Sequence, residues 1–112
     1  MKKTISIKTT SKLIPGINQL HVEAGTNGPK GGDSGSGGRT FVRIAEAGGT
    51  VWNVTVVDEH GNEETFESPS EIAITLGGDS ELDTMIRALE FALAALKGTA
   101  EDSTQKSRDT TL

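Results

Sequence analysis

The chain has 112 residues, a formal net charge of −5 and no cysteine, and its aromatic residues are one tryptophan and three phenylalanines. That length suits a single domain with a modest core, and the lack of cysteine excludes disulfides, zinc–thiolate centres and thiol nucleophiles. Scattered basic residues and few aromatic rings make nucleic acid an unexpected partner. No apolar run reaches the length of a membrane span, and no apolar signal-peptide region follows the basic start, so we expect a cytoplasmic protein.

The first half of the chain predicts strands on both sides of a glycine-rich segment. Ile5–Lys8 alternates apolar and polar residues with the period of a half-buried strand. Pro15-Gly16 predicts a turn, and alternation resumes over residues 18–24. The glycine-rich segment, Gly25–Gly38, holds half of the chain's 14 glycines. A strand rich in β-branched and aromatic residues is predicted directly after it, over residues 40–44.

Short strands and tight turns continue through the second half. Residues 46–49 are expected to form a hairpin turn that leads into a strand over 51–57. A second turn over 58–62 precedes a short strand around 65–66, and 71–76 alternates cleanly as a last strand. Short strands joined by tight turns favour an antiparallel meander.

One amphipathic helix is predicted over residues 80–97. Its apolar residues recur at helical spacing and form a single stripe: Leu82, Met85, Ile86, Leu89, Ala92, Leu93 and Leu96. Asp79 or Ser80 is expected to cap its first turn, and Gly98 to end it in the left-handed conformation. Together these patterns predict an α+β domain over 1–98. Its antiparallel sheet has five or six strands, one face covered by the helix, and a disordered tail follows over 99–112.

The glycine-rich segment has the look of a phosphate-binding loop, but its context excludes the two familiar kinds. A P-loop and a dinucleotide-binding fingerprint both need a helix after the glycines, because the helix N-terminus holds the phosphate. Here a strand follows. A nest of consecutive backbone amides can bind an anion without a helix, and Lys30 and Arg39 would add positive charge.

The sequence therefore favours a non-enzymatic binding protein whose glycine-rich loop holds an anionic small molecule such as a nucleotide or a nucleotide-like signal. The candidate ligand-binding residues are Lys30, Gly31, Gly32, Asp33, Ser34, Gly35, Ser36, Gly37, Gly38, Arg39, Thr40 and His21. The alternative is a mobile loop on a protein–protein interaction module or inhibitor, which uses a sheet face or edge against a partner or a second copy.

Nothing in the sequence singles out a catalytic group or a cofactor. His21 and His60 are the two histidines, and no metal-ligand spacing connects them. No nucleophile stands in a strand–turn–helix elbow, so we expect no catalytic residues, no metal and no cofactor.

Two segments carry a resemblance. The sequence from Gly31 to Thr40, together with Gly77-Gly-Asp-Ser-Glu-Leu82 at the start of the helix, resembles small uncharacterised proteins of Gram-positive bacteria and their phages. In that group a histidine can stand where Ser36 stands here, so a catalytic loop is less expected in this chain. The resemblance carries no function, but it implies a regulator, inhibitor or ligand sequesterer of a mobile element.

Overall fold

The computed structural model describes residues 4–32, 36–101 and 103–112. The α+β class is confirmed, with six strands followed by one C-terminal helix. The elements are β1 (Thr9–Ile14), β2 (Gln19–Thr26), β3 (Arg39–Gly48), β4 (Asn53–Val57), β5 (Glu63–Glu67), β6 (Glu71–Gly77) and α1 (Asp79–Lys97). The described part of the tail has no helix or strand.

The strands form two sheets. One has four strands in the order β1-β2-β3-β6, and the other is the β4–β5 hairpin. The β1–β2 and β4–β5 pairs are antiparallel. The expected hairpin between the strands at 40–44 and 51–57 is wrong, because β3 lies beside β2 and β6 whereas β4 pairs with β5. The chain leaves the first sheet after β3, forms the β4–β5 hairpin and returns as β6.

The first strand lies further along the chain than predicted. Residues 5–8 are not in a strand, and β1 instead occupies Thr9–Ile14. Its partner explains the shift. The Pro15-Gly16 turn connects β1 to β2, and the register pairs Thr9 with Gly25 and Ile14 with Leu20. Pairing along the whole hairpin therefore outweighs the local alternation of Ile5–Lys8.

The β4–β5 hairpin closes on Asp58, as the turn predicted over 58–62 requires. One oxygen of the Asp58 carboxylate accepts hydrogen bonds from the backbone N–H groups of His60 and Asn62, both at 2.9 Å. These N–H groups favour the ionised carboxylate, and the one on Asn62 contributes most to lowering the pKa of Asp58. Across the strands, the hydroxyls of Thr55 and Thr65 lie 2.8 Å apart.

Further hydrogen bonds join the two chain segments at the open end of the same hairpin, outside the β4–β5 pairing. The Ser68 N–H donates to the Trp52 carbonyl at 3.0 Å, and the indole Nε1 of Trp52 donates to the Pro69 carbonyl at 2.9 Å. The Glu46 N–H on β3 donates to the Ser70 carbonyl at 2.8 Å. The two ends of this excursion from the first sheet therefore lie close to each other.

The chain forms two compact units. One comprises Met1–Ile7, Thr26–Thr40 and Leu76–Thr111, and holds α1 and all of the glycine-rich segment except Gly25. The other comprises Lys8–Gly25 and Phe41–Thr75, and holds most of the strands. Among the described residues, the only buried apolar side chain is Ala45 on β3.

The bounds of α1 match the prediction within one residue. Gly98 has a φ of 76° and a ψ of 21°, so the helix ends in the left-handed conformation as expected. Lys97 lies in the last turn and Glu81 in the first, which suits the helix dipole. None of the helix's 19 residues is buried, so the packing of α1 on a sheet face stays a prediction.

The β1–β2 register makes Gly25 intolerant of a side chain. A Cβ added there would lie 2.2 Å from the Lys8 carbonyl oxygen and 2.8 Å from the Thr9 Cα, so the backbone of β1 would have to move. We expect Gly25→Ala to cost about 1–3 kcal/mol of stability in chemical denaturation. Gly48→Ala is the control, since its Cβ would meet only the Gln19 side chain at 3.4 Å. Equal stabilities of the two variants would contradict the register.

Candidate functional site

The glycine-rich segment is organised around one carboxylate, that of Asp79 at the start of α1. Its Oδ1 accepts the backbone N–H groups of Lys30 and Gly38, each at 2.9 Å. Its Oδ2 accepts those of Gly31 at 2.6 Å and Gly32 at 3.1 Å. Four amides from two stretches of the loop therefore converge on a single anion, which is the arrangement of an amide nest.

Two backbone hydrogen bonds connect the same parts of the chain, and here the start of α1 donates and the loop accepts. The Asp79 N–H donates to the Gly32 carbonyl at 2.9 Å, and the Gly78 N–H donates to the Gly38 carbonyl at 2.8 Å. Both donors lie at the start of α1, where backbone N–H groups have no partner inside the helix. The loop carbonyls therefore accept hydrogen bonds from N–H groups at the start of α1, while the Asp79 carboxylate accepts hydrogen bonds from the loop amides.

This arrangement corrects the predicted cap. The N-cap position is Gly78, which has no side chain to donate or accept a hydrogen bond. Asp79 is the first residue of α1, and its carboxylate accepts hydrogen bonds from the glycine-rich segment.

The amides strongly favour the ionised carboxylate. The pKa of Asp79 falls from 3.8 to about 2, chiefly because the N–H groups of Lys30 and Gly38 donate to it, with smaller contributions from Gly31 and Gly32. A carboxylate that accepts several backbone N–H groups is expected to titrate this low.

The glycines are needed because backbone packs on backbone around the carboxylate. A Cβ at Gly38 would lie 2.6 Å from the Gly28 Cα, and one at Gly32 would lie 2.6 Å from the Gly37 N. At Gly37 a Cβ would lie 2.3 Å from the Gly32 carbonyl oxygen, and its φ of 71° is also in the left-handed region. The density of glycine in this segment therefore has a structural cause.

The two ends of the glycine-rich segment are joined at its base. Asn27 uses its Oδ1 to accept the Arg39 N–H at 2.7 Å, and its own N–H donates to the Arg39 carbonyl at 3.2 Å. The Thr26 hydroxyl donates to the same carbonyl at 2.9 Å and lies 3.2 Å from the Thr40 hydroxyl. Thr40 is only 6% exposed. The base of the segment therefore continues the β2–β3 pairing.

The remaining predicted ligand-binding residues have different surroundings. The guanidinium of Arg39 donates to the carbonyls of Gly37 and Gly38, both at 3.2 Å, and so braces the returning stretch of the loop. The side chains of Lys30 and Ser36 are exposed. Asp33, Ser34 and Gly35 were also predicted to bind the ligand, but they lie outside the described residues.

His21 belongs to a polar cluster in the other unit. Its Nδ1 lies 3.4 Å from the NH1 of Arg43, which is itself 3.7 Å from a carboxylate oxygen of Glu23. Arg43 also makes a bidentate pair with Glu71, at 2.6 and 2.9 Å. Hydrogen bonding to Arg43 lowers the pKa of the Glu71 carboxyl, and the same contact raises the pKa of Arg43. These residues connect β2, β3 and β6.

Sequence reasoning located the loop but missed its central residue. Asp79 was considered only as a helix cap, and Asn27 and Arg43 were not singled out at all. The contact joins Gly31, Gly32 and Gly38 of the glycine-rich segment to Gly78 and Asp79 at the start of α1. Nothing in the spacing of single residues indicates that contact, because 41 residues separate Gly38 from Asp79.

A second candidate surface is the apolar stripe of α1. Its larger side chains from Ile86 onward are exposed, at 49% for Ile86, 50% for Leu89, 52% for Leu93 and 88% for Leu96, whereas Leu82 and Met85 are half-buried. The tail does not account for this face. Described tail residues border a cavity of about 280 Å³ beside Phe91 and Ala95, of which Phe91 points away from the stripe and Ala95 lies at its edge.

A third surface lies in the other unit, where the β4–β5 hairpin and β6 form an apolar groove of about 460 Å³. Val56, Phe66 and Ile74 line it and are each about half exposed, at 55%, 45% and 45%. Exposed apolar patches of this kind commonly mark contact surfaces.

The described residues contain no cluster of three or more histidine and carboxylate side chains that could hold a metal ion. Within the same residues, no helix combines the length and apolar character needed to cross a bilayer. The chain matches no protein-family model, no curated protein and no solved structure. The resemblance to Gram-positive and phage proteins stays a prediction.

The low pKa of Asp79 predicts a pH dependence. Because the folded value is depressed, the stabilisation is fully present above 3.8 and is lost as the pH falls towards about 2. Asp79→Asn removes the ionised group, so we expect it to lower Tm by roughly 5 °C or more at neutral pH. The difference in Tm between wild type and variant should become smaller as the pH falls from about 4 to about 2, in thermal melts followed by circular dichroism. A gap that stays constant over this range would contradict the role of the charge.

The close packing at Gly38 predicts a steric effect. Neither Gly38 nor Gly16 has a positive φ, so alanine at either position tests space and not backbone conformation. We expect Gly38→Ala to cost about 1–3 kcal/mol in chemical denaturation. Gly16→Ala should be neutral or slightly stabilising, because its Cβ would have no neighbour closer than 3.5 Å. A neutral Gly38→Ala would mean that the loop does not pack around Asp79 in solution.

Proposed function

We propose that this protein is a non-enzymatic interaction module that self-associates through the apolar stripe of α1. The observation that carries the proposal is that no residue of α1 is buried, although the helix has a continuous apolar stripe. Burying a fully exposed large aliphatic side chain yields about 1.5–3 kcal/mol of transfer free energy, and side chains that are half exposed, such as Leu89 and Leu93, forgo part of it. A partner surface that covers this stripe would recover that energy, and a second copy supplies an equally apolar one.

The apolar pattern of the helix covers a broad face. In a heptad written from Leu82, positions a and d are Leu82, Met85, Leu89, Ala92 and Leu96. Positions e and g are also apolar: Ile86, Leu93, Ala88 and Ala95. A stripe this wide is typical of an amphipathic helix that packs a broad face against another apolar surface.

An anionic small-molecule ligand stays a prediction and ranks behind this proposal. Its supporting observation is that the loop amides do converge on an anion. That anion is the carboxylate of Asp79, so a free phosphate or carboxylate would have to displace a group attached to the same chain. An intramolecular anion has the advantage of high effective concentration, which makes displacement costly.

The proposal predicts that one substitution on the stripe weakens self-association. We expect wild type to sediment as a concentration-dependent oligomer, and Leu89→Glu to raise the dissociation constant roughly tenfold or more. Arg87→Gln is the matched control, because it also lowers the net charge by one but lies on the opposite side of α1. Sedimentation velocity over a wide concentration range measures all three proteins.

Two outcomes would overturn the proposal. A wild type that remains monomeric at every concentration has no self-association to explain. If Leu89→Glu assembles like wild type while Val56→Glu does not, the interface lies on the groove of the β4–β5 hairpin, which is the sheet-face alternative.

A further inference from the structure

We infer that the groove between the β4–β5 hairpin and β6 binds an extended basic segment of a partner protein, which adds to β6 as a further strand. This inference goes beyond the self-association proposed above and does not depend on it. The groove lies within the strand-rich unit. The hairpin contributes Val54, Val56 and Phe66 to its lining, and β6 contributes residues 71–74.

The groove reaches the free edge of β6. This strand is the last in the order β1-β2-β3-β6, so among the described strands it is paired on its β3 side only. Successive side chains of a strand point to opposite faces of the sheet, yet residues 71–74 all border the groove. The groove therefore runs along the edge of β6, where backbone N–H and C=O groups can pair with an added strand. Four residues of a strand span roughly 13 Å, which accommodates about four residues of an extended peptide.

The two outer strands of this sheet present different edges. Strand β1 carries Lys12 among polar side chains, and lysine on an edge strand opposes pairing with another chain. Strand β6 has one charged residue, Glu71, and continues as Ile72-Ala-Ile74. Glu71 is itself held in the bidentate pair with Arg43. The edge of β6 is therefore better suited to accept a strand than the edge of β1.

The charge around the groove selects a basic partner. In the unit that holds α1, basic and acidic residues are equal in number, at eight each, so the net charge of −5 belongs to the strand-rich unit. The three basic residues of that unit are Lys8 and Lys12, beside and within β1, and Arg43, which pairs with Glu23 and Glu71. Within the described residues, the carboxylates of the hairpin make no ion pair with lysine or arginine: Asp58, Glu59, Glu63, Glu64 and Glu67.

One of these carboxylates lies on the groove side of the hairpin. Glu64 is paired with Val56, and directly opposed residues share a face of the two-stranded sheet. Val56 lines the groove, so Glu64 lies on that face, next along the strands from the Val54–Phe66 pair. Its neighbour Glu63 is paired with Val57 and lies on the other face. Both glutamates are exposed.

These features define the chemistry of the partner segment. Apolar side chains at its centre would fill the groove, and lysine or arginine next to them would reach Glu64 and the acidic hairpin. The same acidic surface disfavours a second copy in this place, because two grooves that face each other would bring two acidic hairpins together.

A synthetic peptide tests the inference. The probe is acetyl-Lys-Lys-Val-Thr-Ile-Thr-Val-Lys-Lys-amide, added to the full-length protein. Trp52 is the chain's one tryptophan, and its indole donates to the carbonyl of Pro69, which lines the groove. We expect the peptide to change the Trp52 fluorescence in a saturable way and to bind more weakly as the salt concentration rises. The same peptide with glutamate in place of each lysine should not bind.

Two matched comparisons test the charge and the strand pairing. Glu64→Gln should raise the dissociation constant about two- to fivefold, whereas Glu63→Gln, which makes the same charge change on the other face, should leave it nearly unchanged. Alternate backbone N–H groups of a strand point to the same side. Two further peptides are therefore methylated on one or the other alternate set of backbone nitrogens, and at least one of them should bind about tenfold more weakly.

Several results would overturn the inference. Absence of binding, or equal binding of the glutamate peptide, contradicts a site for basic segments. Full binding by both methylated peptides excludes addition of a strand to β6. Equal weakening by Glu64→Gln and Glu63→Gln means attraction to the whole hairpin and not to the groove. If the peptide fails to bind and Val56→Glu abolishes an oligomer seen by sedimentation, a second copy occupies the groove. The self-association through α1 is judged separately, because Leu89→Glu should leave peptide binding unchanged.

Discussion

The carboxylate of Asp79 is the interaction on which the rest of the glycine-rich segment depends. Four backbone N–H groups donate to it, and two N–H groups at the start of α1 donate back to the loop. The carboxylate therefore provides an acceptor for the loop amides, and the loop carbonyls provide acceptors for the N–H groups at the start of α1. The glycines follow from this contact, because a Cβ at Gly32, Gly37 or Gly38 would collide with neighbouring backbone. The high glycine content of the segment therefore follows from its packing around the carboxylate of Asp79, an anion that belongs to the same chain.

This contact changes how glycine-rich loops of this kind should be interpreted. A nest of amides indicates that an anion is bound, but does not indicate whether that anion comes from solution or from the chain. Here the deciding residue lies 41 positions after the last nest amide. A search for phosphate-binding motifs should therefore include an acidic residue at the start of a later helix as a competing explanation.

The sequence predicted what local patterns determine. Helix α1, its stop at Gly98 and the turn at Asp58 follow from periodicity and from short-range hydrogen bonding, and the structure confirms them. Strand β1 was misplaced because its position depends on pairing with β2, and the partners of β3 were misassigned because β6 is distant in sequence. Asp79 was missed as the centre of the loop for the same reason. Non-local contacts decided each of these features, and single-sequence patterns do not contain them.

The β4–β5 hairpin has a consequence for how the chain can fold. Strands β3 and β6 are neighbours in one sheet, yet the whole hairpin separates them in sequence. Bringing the ends of so long a segment together lowers the entropy of the chain before the contacts between β3 and β6 can stabilise it. The hairpin is local and closes on Asp58, and its base is tied by the bonds of Trp52 to Ser68 and Pro69 and of Glu46 to Ser70. Once it has formed, only a few residues remain free between β3 and β6, so a distant pairing becomes a nearly local one.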